Sequence, residues 1–213
     1  MVYGLRFTVL LLIVFSITLP TPVSSLEGFY EGPYLTFSGG IMQFDWDVNQ
    51  NTGVEEGRTW EPILHLGFGW NVTDWLAPEL NLHFYTDSNG GRREYIAGAH
   101  FGPALTLLID PFLNFKSLRI LPFVKPGFTF QAASLPGDPS ANDNRLTNIG
   151  YGGGLAGGLR FLYNEYLYFG FEVQEDFIYH AAKNQLIGGA ATLIYNGGFK
   201  RQFEGRAMVG VHF

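Results

Sequence analysis

Five charged residues set the chemical question. Glu79, Lys125, Arg160, Glu172 and Arg206 each stand between neighbours that are hydrophobic or small. A carboxylate or a cation taken out of water is costly unless it is paired and hydrogen-bonded. The plain chemistry of the set is therefore a buried salt-bridge network; a selectivity constriction or a proton path is its other use. A second set is Glu61, His83 and His100, to which His65 adds a third imidazole. Imidazole and carboxylate together can hold a transition metal or respond to pH, whereas hydrogen-bonding filler is the plain reading of the same histidines. Gly152-Gly-Gly-Leu-Ala-Gly-Gly158 precedes no helical pattern, so it is no phosphate cradle.

The elements that must position these groups alternate with period two. Trp60, Pro62, Leu64, Leu66, Phe68, Trp70 and Val72 share one parity, and Glu61, Ile63, His65, Gly67, Gly69 and Asn71 the other. Beyond the turn at 71–74, Leu76, Pro78, Leu80, Leu82 and Phe84 oppose Ala77, Glu79, Asn81, His83 and Tyr85. The same alternation returns around His100, Lys125, Arg160 and Glu172, and the last residues set Ala207, Val209, Val211 and Phe213 against Arg206, Met208, Gly210 and His212. Period two over such lengths marks strands, not helices. Three histidines then fall on consecutive strands with one parity. Counting from the 71–74 turn, His83 is expected close across from Glu61 to Pro62, with His100 at comparable height on the next hairpin.

Composition narrows the setting. The 213 residues carry 15 % charged, 46 % hydrophobic and 16 % aromatic residues, with 28 glycines and no cysteine. Soluble domains average about 25 % charged residues, so little of this chain is suited to a wet surface. Disorder is excluded by the aromatics, and disulfides and Cys-ligated metals by the missing cysteines. Thirteen basic against nineteen acidic residues argue against nucleic acid. A mean hydropathy of +0.08 excludes a helical membrane protein but not a barrel, whose two faces average out. The apolar faces are too rich for the rest of the chain to cover, because no helical segment is left to lie over them. Strands of about 9–11 tilted residues cross a bilayer, and a sheet in lipid must close on itself. The fold expected is all-β, a transmembrane antiparallel up-and-down barrel.

Residues 1–25 read as a cleaved signal peptide: Arg6 in the basic region, an apolar run from Phe7 to Leu19, the break at Pro20 and Pro22, and small residues at 23–25. The run of about 13 residues is too short for a membrane helix of ~20. The barrel domain is expected over 26–213.

Connection lengths orient the chain. The short connections are 71–74, 109–118 and Asn164-Glu165, and aromatic residues flank them: Trp70 and Trp75, Phe112 and Phe115, Tyr163 and Tyr166. The longer, polar ones are 47–58, 86–93, 131–147 and 180–200. Short periplasmic turns, long external loops and an interfacial aromatic girdle are the pattern of outer-membrane barrels. Eight strands follow if 29–46 is one kinked strand and 180–200 an elaborate external loop. Ten follow if Gly39-Gly40 and Asn196-Gly197-Gly198 are hairpin turns, but that places the short turns outside. Eight is the expectation.

The terminal strand, with Val209 and Val211 at alternate positions before the final Phe213, resembles the insertion signal of outer-membrane proteins, which the barrel assembly machinery reads. The opening Gly28-Phe-Tyr-Glu-Gly-Pro-Tyr-Leu-Thr-Phe37 resembles the small outer-membrane β-barrel superfamily, OmpA- and OmpX-like. So do Leu121-Pro-Phe-Val-Lys-Pro-Gly127 and Gly158-Leu-Arg-Phe-Leu-Tyr-Asn-Glu-Tyr-Leu167. The resemblance covers residues 27–213 and implies a monomer in outer-membrane lipid. It also raises catalysis, because some such barrels are lipid A deacylases with a His-x-Ser pattern. The matching place reads His180-Ala181-Ala182, without the hydroxyl that such chemistry needs. No enzyme and no cofactor is expected. The expectation is a filled lumen with a structural or surface-interaction role (adhesion or recognition) through external loops. A narrow solute channel is the alternative, and a lipid A-modifying hydrolase stands behind it. Asp138 and Asp143, in the solvated stretch 136–145, show no ordered spacing for calcium, and Asn71-Val-Thr73 lies in a turn too tight for a glycan.

Overall fold

The computed structural model describes residues 31–44, 60–89, 92–107, 114–115, 118–136, 145–163, 166–187, 190–195 and 197–213. The signal segment, the stretch 45–59 and residues 137–144, with Asp138 and Asp143, lie outside them. The strands are β1 (Gly32–Phe44), β2 (Trp60–Asn71), β3 (Leu76–Asn89), β4 (Arg92–Thr106), β5 (Asn114–Phe115), β6 (Leu118–Pro136), β7 (Arg145–Leu162), β8 (Leu167–His180), β9 (Lys183–Ile187), β10 (Ala190–Tyr195) and β11 (Gly198–His212).

Eight of them form one closed antiparallel barrel. The hydrogen-bonded order is β4-β3-β2-β1-β11-β8-β7-β6, and a β4–β6 pairing shuts the ring. The first and last strands meet in register from Tyr34↔His212 to Phe44↔Gln202. Tyr95↔Ser134 through Phe101↔Phe128, and then Leu105↔Val124, make the β4–β6 seam. β5 is a two-residue pairing inside the 107–117 connection, and β9–β10 is a separate hairpin between β8 and β11. Gly39-Gly40 runs inside β1 instead of turning the chain.

Two connections are shorter than expected. β3 runs to Asn89 and β4 starts at Arg92, so 86–93 is mostly paired. β6 and β7 pair out to Pro136↔Arg145, which takes up most of 131–147. Their residues are polar because they pair beyond the apolar surface, and backbone pairing needs no apolar face.

Burial follows parity. Along β2 and β8 the side chains alternate between exposed and buried almost without exception. Outward residues include Leu64 (67 % exposed), Phe37, Phe68, Phe101, Phe128, Phe171 and Phe177. Inward residues are mostly polar or charged. At the turn end, Trp70, Trp75, Tyr163, Tyr166 and Phe213 are exposed together, as an interfacial girdle requires.

Inward glycines provide the space for the largest lumen side chains. A Cβ at Gly69 of β2 would strike the Tyr34 ring, which crosses that position from β1. Gly210 receives the Tyr168 ring from β8 in the same way, Gly98 the imidazole of His83, and Gly127 that of His100. An eight-stranded barrel is just wide enough to be filled by its own side chains, and this small-against-large pairing is how the filling is achieved. Gly210→Val is expected to overpack the Tyr168 slot and lower stability by about 1–3 kcal/mol. Urea unfolding from lipid vesicles, followed by tryptophan fluorescence, measures it.

Candidate functional site: the lumen network

From the turn end upward, the lumen begins with an apolar layer. Tyr34, Ala77, Ala104, Phe123, Leu162, Tyr168 and Met208 pack together with Leu121 against them. Tyr34 and Tyr168 meet edge to face at 6.1 Å, and His212 lies 5.3 Å and 5.2 Å from their ring centres. The Arg160 guanidinium sits over this layer, 4.5 Å from the Phe123 ring centre, 5.3 Å from that of Tyr34 and 5.5 Å from that of Tyr168. Those ring faces attract the cation, and its Nη2 is directed at the Glu79 carboxylate.

The ionic layer follows. Glu79 of β3 accepts from Lys125 Nζ at 2.8 Å, from Arg160 Nη2 at 2.5 Å and from the Tyr34 hydroxyl at 2.7 Å. Asn81 Nδ2 adds a 3.3 Å bond to the same carboxylate. Lys125 also reaches Glu172, at 3.0 Å. Arg206 binds Glu172 through Nη2 and Glu204 through Nη1. Glu204 is held in turn by His65 Nε2 at 3.1 Å. Glu79, Glu172 and Glu204 thus face Lys125, Arg160 and Arg206, three charges against three, and all six are buried. The Tyr168 hydroxyl, lying over Gly210, bonds Thr36 Oγ1.

All five charged residues singled out from the sequence occur in one continuous network across β3, β6, β7, β8 and β11. Glu204 is its sixth member and was missed. It stands two residues before Arg206 on the same face of β11 and is visible once the terminal alternation is carried back by one further pair.

The histidine set does not assemble as expected. His83 pairs in register with His65, not with Glu61, and their rings lie 5.5 Å apart. The β2–β3 turn is wider than the 71–74 count assumed: Val72 N–H and Thr73 N–H both donate to the Leu76 carbonyl. Each residue gained by the turn slides the facing strand, so Glu61 is left at the loop end, opposite Met42. His83 stands opposite Gly98, and His100 opposite Asn81. His100 Nδ1 meets Thr129 Oγ1 at 2.9 Å and Gln174 Nε2 at 3.1 Å, with Asp176 at 3.7 Å. Among the described residues no group of three or more His, Asp or Glu could hold a metal ion.

The register brings Ser38 opposite His65, a juxtaposition that sequence spacing did not show. It is no nucleophile–base pair, because both imidazole nitrogens are already engaged by Glu204 and Arg206. His180 is buried at the loop end of β8, with Ala182 exposed two residues on. Val209, Val211 and Phe213 face outward at the turn end, and Phe213 N–H bonds the Pro33 carbonyl across the β1–β11 seam.

A closed eight-stranded sheet that is apolar outside and polar inside is the fold of a small outer-membrane β-barrel, whose strands cross the bilayer. No protein-family model and no curated protein matches the chain. Among solved structures it is similar to Neisserial surface protein A, with a TM-score of 0.59, 12 % identity, and 85 % of this chain and 97 % of that one covered. Ail, the attachment invasion locus protein of Yersinia pestis, aligns at a TM-score of 0.48 with 8 % identity, covering 86 % and 99 % of the two chains. A major outer membrane protein of Thermus thermophilus aligns at 0.45 with 12 % identity, covering 85 % and 99 %. At such identities the likeness is one of fold, and the first of the three carries it.

Glu79 is the hub, because it neutralises two cations and satisfies a tyrosine. Glu79→Ala is expected to cost about 3–5 kcal/mol by taking from Arg160 its carboxylate partner and leaving Lys125 with Glu172 alone. Tyr34→Phe removes one bond to a charged group and is expected to cost about 1.5–3 kcal/mol. Urea titrations of both variants in vesicles test that order.

Proposed function

We propose that the chain is a bacterial outer-membrane protein, exported with loss of residues 1–25, whose role is structural or one of surface recognition through its external loops. It inserts through the terminal Val209, Val211 and Phe213 signal read by the barrel assembly machinery and stands in the lipid as an OmpA/OmpX-like monomer. The observation that carries this reading is the occupied lumen. Glu79, Lys125, Arg160, Glu172, Glu204 and Arg206 are bonded to one another across it, and the Tyr34–Tyr168–Phe123 layer lies beneath them. A solute would have to break several buried ion pairs to pass, so conduction is disfavoured by their desolvation.

Recognition then falls to the segments expected to be external, 47–58, 131–147 and 180–200, the last of which carries the β9–β10 pairing. Loops on a rigid scaffold are where binding residues concentrate. No cofactor enters this reading. A hydrolase role is disfavoured by the alanine at 182, where a nucleophilic hydroxyl would be needed.

Planar-bilayer recording of the refolded mature chain is the direct test. No discrete conductance steps are expected in concentrated KCl. Steady channels that change selectivity on Lys125→Gln would overturn the filled lumen and establish the solute-channel alternative.

A further inference from the structure

Among the residues of the eight strands whose side chains are described, two charged ones point outward, Glu175 of β8 and Arg201 of β11. They are bonded to each other, Arg201 Nε to Glu175 Oε1 at 2.5 Å. The other charged side chains described on these strands have inward parity. Below the pair, the outward residues of β8 are Val173, Phe171, Phe169 and Leu167, and those of β11 are Phe203, Gly205, Ala207, Val209 and Val211, with Phe213 just beyond it. Around and above it are aromatic rings. Phe177 stands opposite Arg201, and Phe203 opposite Glu175. The Tyr179 ring lies 5.5 Å from Phe199 and 5.6 Å from Tyr151, and Trp60 lies 6.1 Å from Phe203.

Depth gives the pair its meaning. At a rise of about 3.3 Å per residue and a tilt of roughly 40°, Glu175 stands about 20 Å above Leu167, where an apolar band about 25 Å tall is ending. A charge on the lipid face costs about 2–4 kcal/mol at the midplane and about 0–1 kcal/mol near the interface. The loop-end boundary is therefore where a guanidinium can remain, amid the girdle of rings that belongs at headgroup depth. Arg201 is 53 % exposed in its side chain and Glu175 31 %. The glutamate occupies Nε alone. The edge formed by Nη1 and Nη2 has no partner among the described residues, and two parallel N–H donors match the oxygens of a phosphate. A second copy of the chain is a poor occupant, because the sole outward carboxylate described is the one already bound to Arg201.

We propose that Arg201, oriented by Glu175 and flanked by Phe177, Phe199 and Tyr179, is a docking site for the phosphate of an anionic lipid headgroup in the leaflet at the loop end of the barrel. The aromatic rings cover the first carbons of the acyl chains while the guanidinium takes the phosphate. Glu175 is a positioning residue: its bond to Nε turns the free edge toward the headgroups. The proposal rests on the reading of the chain as a membrane-spanning barrel.

The test uses the mature chain folded into phosphatidylcholine vesicles doped with a bisphosphorylated glycolipid, or with the same glycolipid dephosphorylated. Lipid retained after mild detergent extraction is counted by native mass spectrometry. The wild-type chain is expected to prefer the phosphorylated lipid by about tenfold, the equivalent of one bidentate charge-assisted contact. Arg201→Gln should reduce the preference to near parity, and Glu175→Gln should weaken it only in part. Arg201→Lys, which keeps the charge and loses the planar fork, should fall between. Equal retention by wild type and Arg201→Gln would overturn the proposal and leave an interfacial ion pair only. Competition by millimolar inorganic phosphate would also overturn it, by assigning the edge to free anion. Heat-modified electrophoretic mobility is measured on each sample. A wild-type chain that never shows the folded band counts against the barrel reading itself, and so separates the two failures.

Discussion

In hydrocarbon, no backbone N–H or carbonyl can be left to solvent, and this constraint governs the rest of the molecule. A sheet meets it only by closing, and here closure is completed at two seams, β1 against β11 and β4 against β6. Closure at eight strands then fixes a lumen about as wide as its own side chains can fill. Its filling cannot be wholly apolar, because inward and outward side chains alternate and the outward set already takes most of the large hydrophobics. Polar residues are thereby committed to the interior, where a charged group needs a partner of opposite sign. The charge-balanced cluster around Glu79, Glu172 and Glu204 is what that commitment looks like when it is met.

Such a cluster is poor evidence of stability in itself. Desolvation of six charged groups offsets much of their mutual attraction, and an apolar set of equal volume could serve as well energetically. What the ions contribute is discrimination. A slip of one residue between neighbouring strands would turn Glu79 or Arg206 out into lipid and an aromatic residue into the lumen. Any such slip leaves unpaired charges on both sides of the wall. The glycine slots act in the same direction, since Tyr34 fits across Gly69 and Tyr168 across Gly210 in one register only. Charge and shape thus select the same pairing.

The barrel was legible in the sequence because parity is a local property, readable residue by residue from Trp60 to Phe84 without knowledge of any partner strand. The strand number was legible for a similar reason, since short turns and long loops alternate along the chain. Register was not. It depends on how many residues each turn consumes, and the extra residues between Asn71 and Leu76 were enough to move Glu61 away from His83 and bring His65 there instead. Membership of the ionic network survived this, because a narrow lumen lets long side chains such as Lys125 and Arg160 find carboxylates over several registers. Short imidazoles have no such reach, so the three-residue histidine reading dissolved while the five-residue ionic one came together and gained Glu204. The extent of pairing at the loop end escaped as well, because polar strands beyond the membrane look like loops when hydrophobic alternation is the signal.

The two faces of the wall treat charge by different rules, and the contrast explains where each charge is found. Inside, a charge is tolerated at any depth provided that another side chain neutralises it, and the six-membered network shows the condition satisfied in the middle of the barrel. Outside, no side chain on the same wall can enclose a charge, so depth alone decides. Phe171, Phe169 and Val173 hold the hydrocarbon levels, and the Glu175–Arg201 pair stands where those levels end. Even there the arginine keeps a carboxylate at its side, which lowers the cost of its partial burial among Phe177 and Phe199. Neutralisation governs the lumen and depth governs the lipid face; the Glu175–Arg201 pair lies at the boundary and obeys both.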